Sequence, residues 1–163
     1  MKSAIVYYSM SGNTDYAARQ ISERTGADII RISPRKAYPE KGFSKFFWGG
    51  KSAVMSEAPE LLPYSFQAES YDKVIIGMPV WAGKLTPPLR TFINENREAL
   101  KDKRILVFVC CSGGTTGAVK AGESVYSMLG INSPHTDITV LIDPKDKPSE
   151  ENSQRIEELC GRI

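Results

Sequence analysis

The sequence has few of the residues that build metal centres and disulfide frameworks. Its 163 residues include three cysteines and one histidine, with no Cys-x-x-Cys pair. A small, odd number of cysteines cannot form a disulfide network, and the ligand spacings of zinc sites are absent. Reduced thiols are therefore expected, which favours a cytoplasmic protein. The adjacent Cys110 and Cys111 are predicted to be buried structural thiols on opposite faces of a strand, not a redox pair.

Long apolar segments and a dominant charge are also missing. The longest uninterrupted apolar run, residues 105–111, is far shorter than the ~20 residues that cross a membrane. The first apolar stretch, residues 4–8, is too short for the core of a signal peptide. Lys and Arg number 21 against 19 Asp and Glu, a net charge of +2, and the basic residues are dispersed. We therefore expect neither a membrane nor a nucleic acid as partner.

What remains is the pattern of one globular α/β domain covering residues 1–163. Five segments rich in apolar and β-branched residues predict strands: 4–8, 28–32, 73–78, 104–110 and 136–142. Most of these segments are continuously apolar, which is typical of strands covered on both faces in a parallel sheet. Apolar residues at helical spacing lie between the later strands. The alternation predicts a single doubly wound, five-stranded parallel sheet with helices on both faces.

The connection between the second and third strands, residues 33–72, is unusually long and aromatic. Phe43, Phe46 and Phe47 would share one helical face, which predicts a helix near residues 41–55. The prolines that follow predict an extended return from Pro59 to Tyr71.

The turn after the first strand is rich in hydrogen-bonding groups. It consists of Ser9, Met10, Ser11, Gly12, Asn13 and Thr14. Ligands of open parallel sheets lie beyond the carboxyl ends of the strands. Hydroxyls and the free N–H groups of a helix start bind phosphate without a lysine. The Walker lysine and the G-x-G-x-x-G pattern are both absent. The alternative is a simple capped helix start, which needs one hydroxyl and not three with a glycine.

Residues 5–14, continued to Ala18 and Ile21, resemble the signature of the flavodoxin family. The resemblance implies the sheet order 2-1-3-4-5, with one noncovalent FMN at the switch point between strands 1 and 3. It also implies that residues of the turn hold the FMN phosphate, namely Ser9, Ser11, Gly12, Asn13 and Thr14. Met10 would contact the region of the flavin ring.

Two further loops would flank the isoalloxazine ring. The loop after the third strand offers Pro79, Val80, Trp81, Ala82 and Gly83, and the loop after the fourth offers Ser112, Gly113, Gly114 and Thr115. An aromatic face and backbone N–H groups suit a flat ring. The alternatives are a core tryptophan under a proline-rich turn and a flexible helix start. The Gly-x-Pro-x-Trp-x-Gly motif beginning at Gly77 is similar to a subgroup of short flavodoxin-like proteins.

The resemblance implies an FMN-binding electron-transfer protein with unidentified redox partner proteins, and no catalytic side chain. His135, in a loop before the last strand, is expected to be a surface residue. Two alternatives remain open. One is an NAD(P)H-dependent flavin or quinone reductase with the same fold and FMN, for which residues 33–72 could form one wall of a pocket. The other is a phosphate- or nucleotide-binding module without redox activity.

Overall fold

All five strands of the computed structural model are parallel, and it describes residues 2–38, 57–132 and 135–163. The strands are β1 (Ser3–Tyr7), β2 (Asp28–Arg31), β3 (Lys73–Pro79), β4 (Arg104–Cys111) and β5 (Ile138–Ile142). The described helices are α1 (Asn13–Thr25), α2 (Pro87–Lys101), α3 (Thr115–Leu129) and α4 (Glu150–Cys160). The sheet order is β2-β1-β3-β4-β5. The predicted doubly wound sheet and its strand order are confirmed.

The middle of the sheet is apolar on both faces. Val6 of β1 pairs with Ile76 of β3, which in turn pairs with Val107 of β4. These three side chains lie on the same face as α2 and α3, where Leu89 and Val125 belong to the same core cluster. Because side chains alternate along a strand, their neighbours belong to the other face.

The second face packs against α1 and α4. Ile5, Ile75 and Leu106 form a core cluster with Ile21 of α1 and Leu159 of α4, and all five side chains are completely buried. This double coverage explains why the strand sequences are continuously apolar rather than alternating.

The helix ends follow the local sequence. Gly26 and Gly130 end α1 and α3 in the left-handed conformation, with φ of 71° and 70°, which glycine adopts without steric cost. Pro87 and Pro88 begin α2, where the N–H groups that proline lacks would have no partner within the helix. Ser149 caps α4 by accepting the N–H of Asn152 at 3.1 Å. None of the described helices is long and apolar enough to cross a membrane.

The predicted boundary of the last strand was wrong at its start. Residues 135–137 form a short 3-10 helix, and β5 begins at Ile138. Asp137 is almost fully buried there, and its carboxylate accepts a hydrogen bond from Arg104 at 2.9 Å. Pairing a buried carboxylate with an arginine offsets its desolvation, and this contact ties the turn to the start of β4.

The connection between β2 and β3 is described only in part. The helix expected near residues 41–55 lies outside the described residues. The return segment has no regular strand, but Leu61 bridges to Pro34 in an antiparallel pair. Leu62 donates its N–H to Ser33 at 2.9 Å, and Leu61 is buried. A 3-10 helix at Ala68–Ser70, which the sequence did not indicate, then leads into β3.

Candidate functional site

The turn and loops identified from the sequence extend from one edge of the sheet. Sheet hydrogen bonding continues into them: Tyr8 donates its N–H to Gly77 at 3.2 Å, and Val80 donates to Cys110 at 3.0 Å. The segment after β5 continues the pattern, since Asp143 donates to Cys111 at 2.9 Å. The carboxyl ends of four neighbouring strands therefore contribute to one surface, the usual ligand position in a doubly wound sheet.

The turn formed by residues 9–14, hereafter the phosphate loop, leads directly into α1. Gly12 precedes the helix with φ of 97°, and among the described residues no side chain caps the first helical N–H groups. Its own N–H donates to the buried Ser9 hydroxyl at 3.2 Å. Ser9 therefore shapes the loop from inside, while Ser11 is exposed. The uncapped N–H groups and the positive end of the helix dipole suit an anion.

Thr14 supplies the clearest sign that the phosphate loop is built for a ligand. Its side chain is 1% exposed, and its hydroxyl has no hydrogen-bond partner among the described residues. The hydroxyl lies beside the Cys110 thiol, whose pKa it lowers, but the geometry falls short of a hydrogen bond. A buried hydroxyl without a partner is destabilising. An anionic oxygen at the start of α1 would give it a partner, so the site fits a phosphate group.

Asn13 plays a different part from the one expected. Its carboxamide oxygen accepts the N–H groups of Lys145 at 2.8 Å and Asp146 at 3.3 Å. Its amide nitrogen donates to the Asp146 carboxylate at 2.8 Å. The side chain thus fastens the phosphate loop to the segment that follows β5, and only the backbone N–H of Asn13 remains for a phosphate.

Sequence reasoning missed the segment between β5 and α4, residues 143–149. The available signal was its position, because it also follows the carboxyl end of a strand. Asp143 has a positive φ of 40°, and its carboxylate accepts a hydrogen bond from Ser112 at 2.8 Å. A carboxylate oxygen also lies 3.1 Å from the Lys147 ammonium. The segment therefore contacts both the phosphate loop and the loop after β4.

The loop after β3 forms a tight turn. Ala82 and Gly83 have φ of 50° and 67°, and Lys84 donates its N–H to Trp81 at 2.9 Å. Positive φ at both central positions defines a type I′ turn, which strains an alanine but not a glycine. Pro79 is the last residue of β3, and the N–H of Val80 extends the hydrogen bonding with β4 by one residue.

Trp81 is half-buried in an aromatic cluster. Its ring packs edge-on against Tyr8, with centroids 5.6 Å apart, and against Tyr38, at 5.1 Å. Edge-to-face packing of this kind fixes the orientation of an aromatic side chain. The indole is neither a fully buried core residue nor a free surface residue, so it can border a ring at this edge of the sheet.

The loop after β4 is exposed and glycine-rich. Ser112, Gly113, Gly114 and Thr115 are all solvent-accessible, and Gly114, with φ of 63°, directly precedes α3. One turn into α3, Gly117 meets the loop after β3: a Cβ built on it would lie 3.4 Å from the Cα of Gly83. The loop after β3 and the start of α3 therefore touch at these glycines.

The burial and the opposite orientations predicted for Cys110 and Cys111 are confirmed. Cys110 belongs to the core cluster with α1 and α4, whereas Cys111 belongs to the cluster with α2 and α3. The two thiols therefore lie on opposite faces of β4, and burial raises the pKa of Cys110 to about 12. Within the described ranges, no cluster of histidine, cysteine or acidic residues could hold a metal ion.

Comparison with known proteins agrees with this architecture. A flavoprotein from Lactobacillus acidophilus, crystallised in complex with FMN, is 19% identical with a TM-score of 0.70, over 89% of this chain and 95% of its own. A flavodoxin, WrbA-like protein from Agrobacterium tumefaciens is 13% identical with a TM-score of 0.66, over 99% and 94%. A flavodoxin from the domain Archaea is 17% identical with a TM-score of 0.60, over 100% and 96%.

At these identities the solved structures establish a common fold. The family assignment comes from the sequence itself, because the flavodoxin domain profile matches residues 51–135, about half of the chain. This match starts in the long connection after β2 and runs through β3, α2, β4 and α3. The chain therefore belongs to the flavodoxin domain family.

Proposed function

We propose that this protein binds one noncovalent FMN and uses it to carry electrons between partner proteins. The buried Thr14 hydroxyl is the observation that carries the proposal, because it has no partner at the start of α1 within the described ranges. Family membership and the flavoprotein from Lactobacillus acidophilus, crystallised with FMN, support the same ligand. When bound, FMN supplies the redox chemistry, and the protein sets its binding and exposure.

Each part of the site has a distinct task in this proposal. The Thr14 hydroxyl and the first N–H groups of α1 bind the phosphate, and Ser11 adds an exposed hydroxyl. Ser9 holds the loop in shape through its hydrogen bond with Gly12. Met10 is half-buried and packs at the edge of the core, where it can meet the ring region.

The ring is held by the loops after β3 and β4. Trp81 is oriented by its two tyrosine neighbours and borders the ring with Ala82 and Gly83. The exposed backbone of residues 112–115 supplies N–H and C=O groups for the polar edge of the ring. Neither loop contains an Asp, Glu or His side chain, and Lys84 is the titratable residue of the loop after β3. Neither loop therefore offers the carboxylate or imidazole that most often exchanges protons with a bound substrate. This composition favours a carrier over a turnover enzyme.

The carrier is proposed to work in the cytoplasm with redox partner proteins. All three thiols are free, which suits a reducing compartment. With a net charge of +2, the protein gains little long-range electrostatic steering from its overall charge, so local patches would direct its encounters.

A flavin titration tests the proposal directly. The purified chain is stripped of any chromophore and titrated with FMN, following the flavin fluorescence and absorbance. We expect one FMN per chain and weaker binding of riboflavin, which lacks the phosphate. Absence of FMN binding would contradict the proposal and favour a non-redox phosphate-binding module, which titration with inorganic phosphate would detect.

A second assay separates a carrier from a reductase. The FMN-loaded protein is mixed with NADPH or NADH and a quinone, and oxidation of the nicotinamide is followed. A carrier gives almost no steady-state turnover until a separate flavodoxin reductase is added. Sustained turnover by the protein alone would assign it as an NAD(P)H-dependent reductase.

A further inference from the structure

Lys145 lies beside the phosphate loop although it is far away in the sequence. Its backbone N–H donates to the Asn13 carboxamide at 2.8 Å, across 132 residues. The next N–H, that of Asp146, donates to the same oxygen at 3.3 Å. Because Asn13 is the first residue of α1 and is 7% exposed, this anchor fixes the backbone of Lys145 at the helix start.

The side chain of Lys145 extends across Gly12. A Cβ built on Gly12 would lie 3.0 Å from the Lys145 Nζ, 3.4 Å from its Cδ and 3.7 Å from its Cε. A side chain at Gly12 would push the flexible lysine away by a few tenths of an ångström, and the φ of 97° at Gly12 itself favours glycine. The ammonium therefore rests against the backbone that precedes the uncapped N–H groups of α1.

The nearby carboxylates are engaged with other groups. Asp146 accepts from Asn13, and Asp143 pairs with Lys147 and accepts from Ser112. Asp15 accepts hydrogen bonds from Tyr7 and Arg19. Among the described residues, Lys145 has no carboxylate within ion-pair distance. Its charge is therefore available at the point where hydroxyls and N–H groups converge.

We propose that Lys145 is a phosphate-binding residue whose ammonium contributes an ionic contact to the FMN phosphate. This inference rests on the proposed function, since it assigns a further residue to the same ligand. A phosphate monoester carries a charge of about −1.5 to −2 near neutral pH, and ammonium–phosphate hydrogen bonds are charge-assisted. Because Lys145 is solvent-exposed, salt screens the contact. The preference for FMN over riboflavin therefore includes an electrostatic contribution that weakens as ionic strength rises.

The test compares Lys145→Gln with the unmodified protein at low and high salt. Glutamine keeps the backbone N–H that binds Asn13, and removes the charge. We expect FMN affinity to fall about fivefold at low salt, the size of an exposed ion pair. Riboflavin affinity is expected to stay the same, and the difference for FMN should nearly vanish at about 300 mM salt. Lys145→Arg is expected to retain most of the FMN affinity.

Lys101→Gln is the matched control, because it removes the same charge at the amino ends of the strands, on the side of the sheet away from the site. Lys101 ends α2 just before the amino end of β4, and its ammonium pairs with Glu98. This variant is expected to bind FMN like the unmodified protein at both salt concentrations. Thermal unfolding without flavin checks that both variants are folded.

The outcomes distinguish this inference from the proposed function. If the unmodified protein binds FMN and Lys145→Gln binds it equally well at low salt, the Lys145 assignment is overturned alone. Equal losses for FMN and riboflavin would also overturn it, because Lys145 would then act only by positioning the loop. Failure of the unmodified protein to bind FMN overturns both.

Discussion

The ring of Phe108 occupies the space that a side chain on Gly77 would need. The two residues are paired across β3 and β4, and a Cβ on Gly77 would lie 2.2 Å from the Phe108 Cζ. Phe108 is completely buried in the core that faces α1 and α4. The first glycine of the Gly-x-Pro-x-Trp-x-Gly motif is therefore required by packing inside the sheet.

Replacing Gly77 by alanine should destabilise the fold and leave the ligand site unaltered. Overpacking a closely packed core costs about 1–3 kcal/mol, measured as the change in the free energy of unfolding in urea. Gly77→Ala combined with Phe108→Leu should recover part of the loss, because leucine vacates the space near the new methyl group. Equal stability of Gly77→Ala and the unmodified protein would show that the Phe108 ring moves freely.

Thr14→Val should have opposite effects on the free protein and on the complex. Removing a buried hydroxyl without a partner leaves the free protein equally stable or more stable, whereas FMN affinity falls about tenfold. Chemical denaturation and flavin titration measure the two effects. A valine variant that binds FMN normally would mean that the hydroxyl does not meet the phosphate.

Thr91→Val is the matched control for Thr14→Val. The Thr91 hydroxyl is buried and donates to the Pro59 carbonyl at 2.6 Å. This variant should lose about 1 kcal/mol of stability and bind FMN normally. The pair of variants therefore separates a hydroxyl that serves a ligand from one that serves the fold.

Asn13→Ala should loosen both the fold and the site. The substitution removes hydrogen bonds to Lys145 and Asp146 from a buried side chain, a loss of about 1–3 kcal/mol in unfolding free energy. FMN binding should weaken as well, because the segment after β5 is no longer held at the start of α1. A stable variant with unchanged FMN affinity would contradict the anchoring role of Asn13.

Thiol reactivity should follow burial. Burial raises the pKa of Cys110 to about 12 and also raises the pKa of Cys111 and Cys160. Because the folded pKa of Cys110 exceeds the value of about 8.5 for a free thiol, the neutral form is favoured in the fold. That contribution to stability is complete below the free-thiol pKa and is lost as pH rises toward 12.

A chromogenic disulfide reagent measures the reactivity of the thiols at pH 8. In the folded protein Cys110 should react far more slowly than in guanidinium, where all three thiols become accessible. Cys160→Ser removes the half-buried thiol and leaves the β4 pair. Rapid labelling of Cys110 in the folded state would contradict the raised pKa. In alkaline unfolding, Cys110→Ala should lose less stability than the unmodified protein between about pH 9 and pH 12.

The sequence predicted the sheet because its strands carry their own signal. A run such as residues 104–110 is apolar throughout, and double coverage by helices demands that pattern. The strand order came from the resemblance of residues 5–14 to a known family. The start of β5 was misjudged because Thr136 and Asp137 continue the β-branched and polar alternation, while a buried ion pair with Arg104 forces a turn there.

The candidate site was predictable where a loop directly follows a strand with a conspicuous composition. The hydroxyls of the phosphate loop and the glycines after β4 have that property. Lys145 does not, because a lysine in a proline-containing connector is ordinary. Nothing local relates it to Asn13, and a contact across 132 residues is decided by tertiary packing. The direction of the Asn13 side chain is unpredictable for the same reason.

The all-parallel sheet has a consequence for the order in which this protein acquires its shape. No neighbouring strands can be joined by a hairpin, and β1 must find β3 from far along the chain: Lys2 bonds to Asp72, 70 residues away. Such non-local pairing slows folding. Tyr8, just before the phosphate loop, is hydrogen-bonded to Gly77 of β3. A growing polypeptide therefore carries the residues of the phosphate loop long before it has the strand that holds them in place.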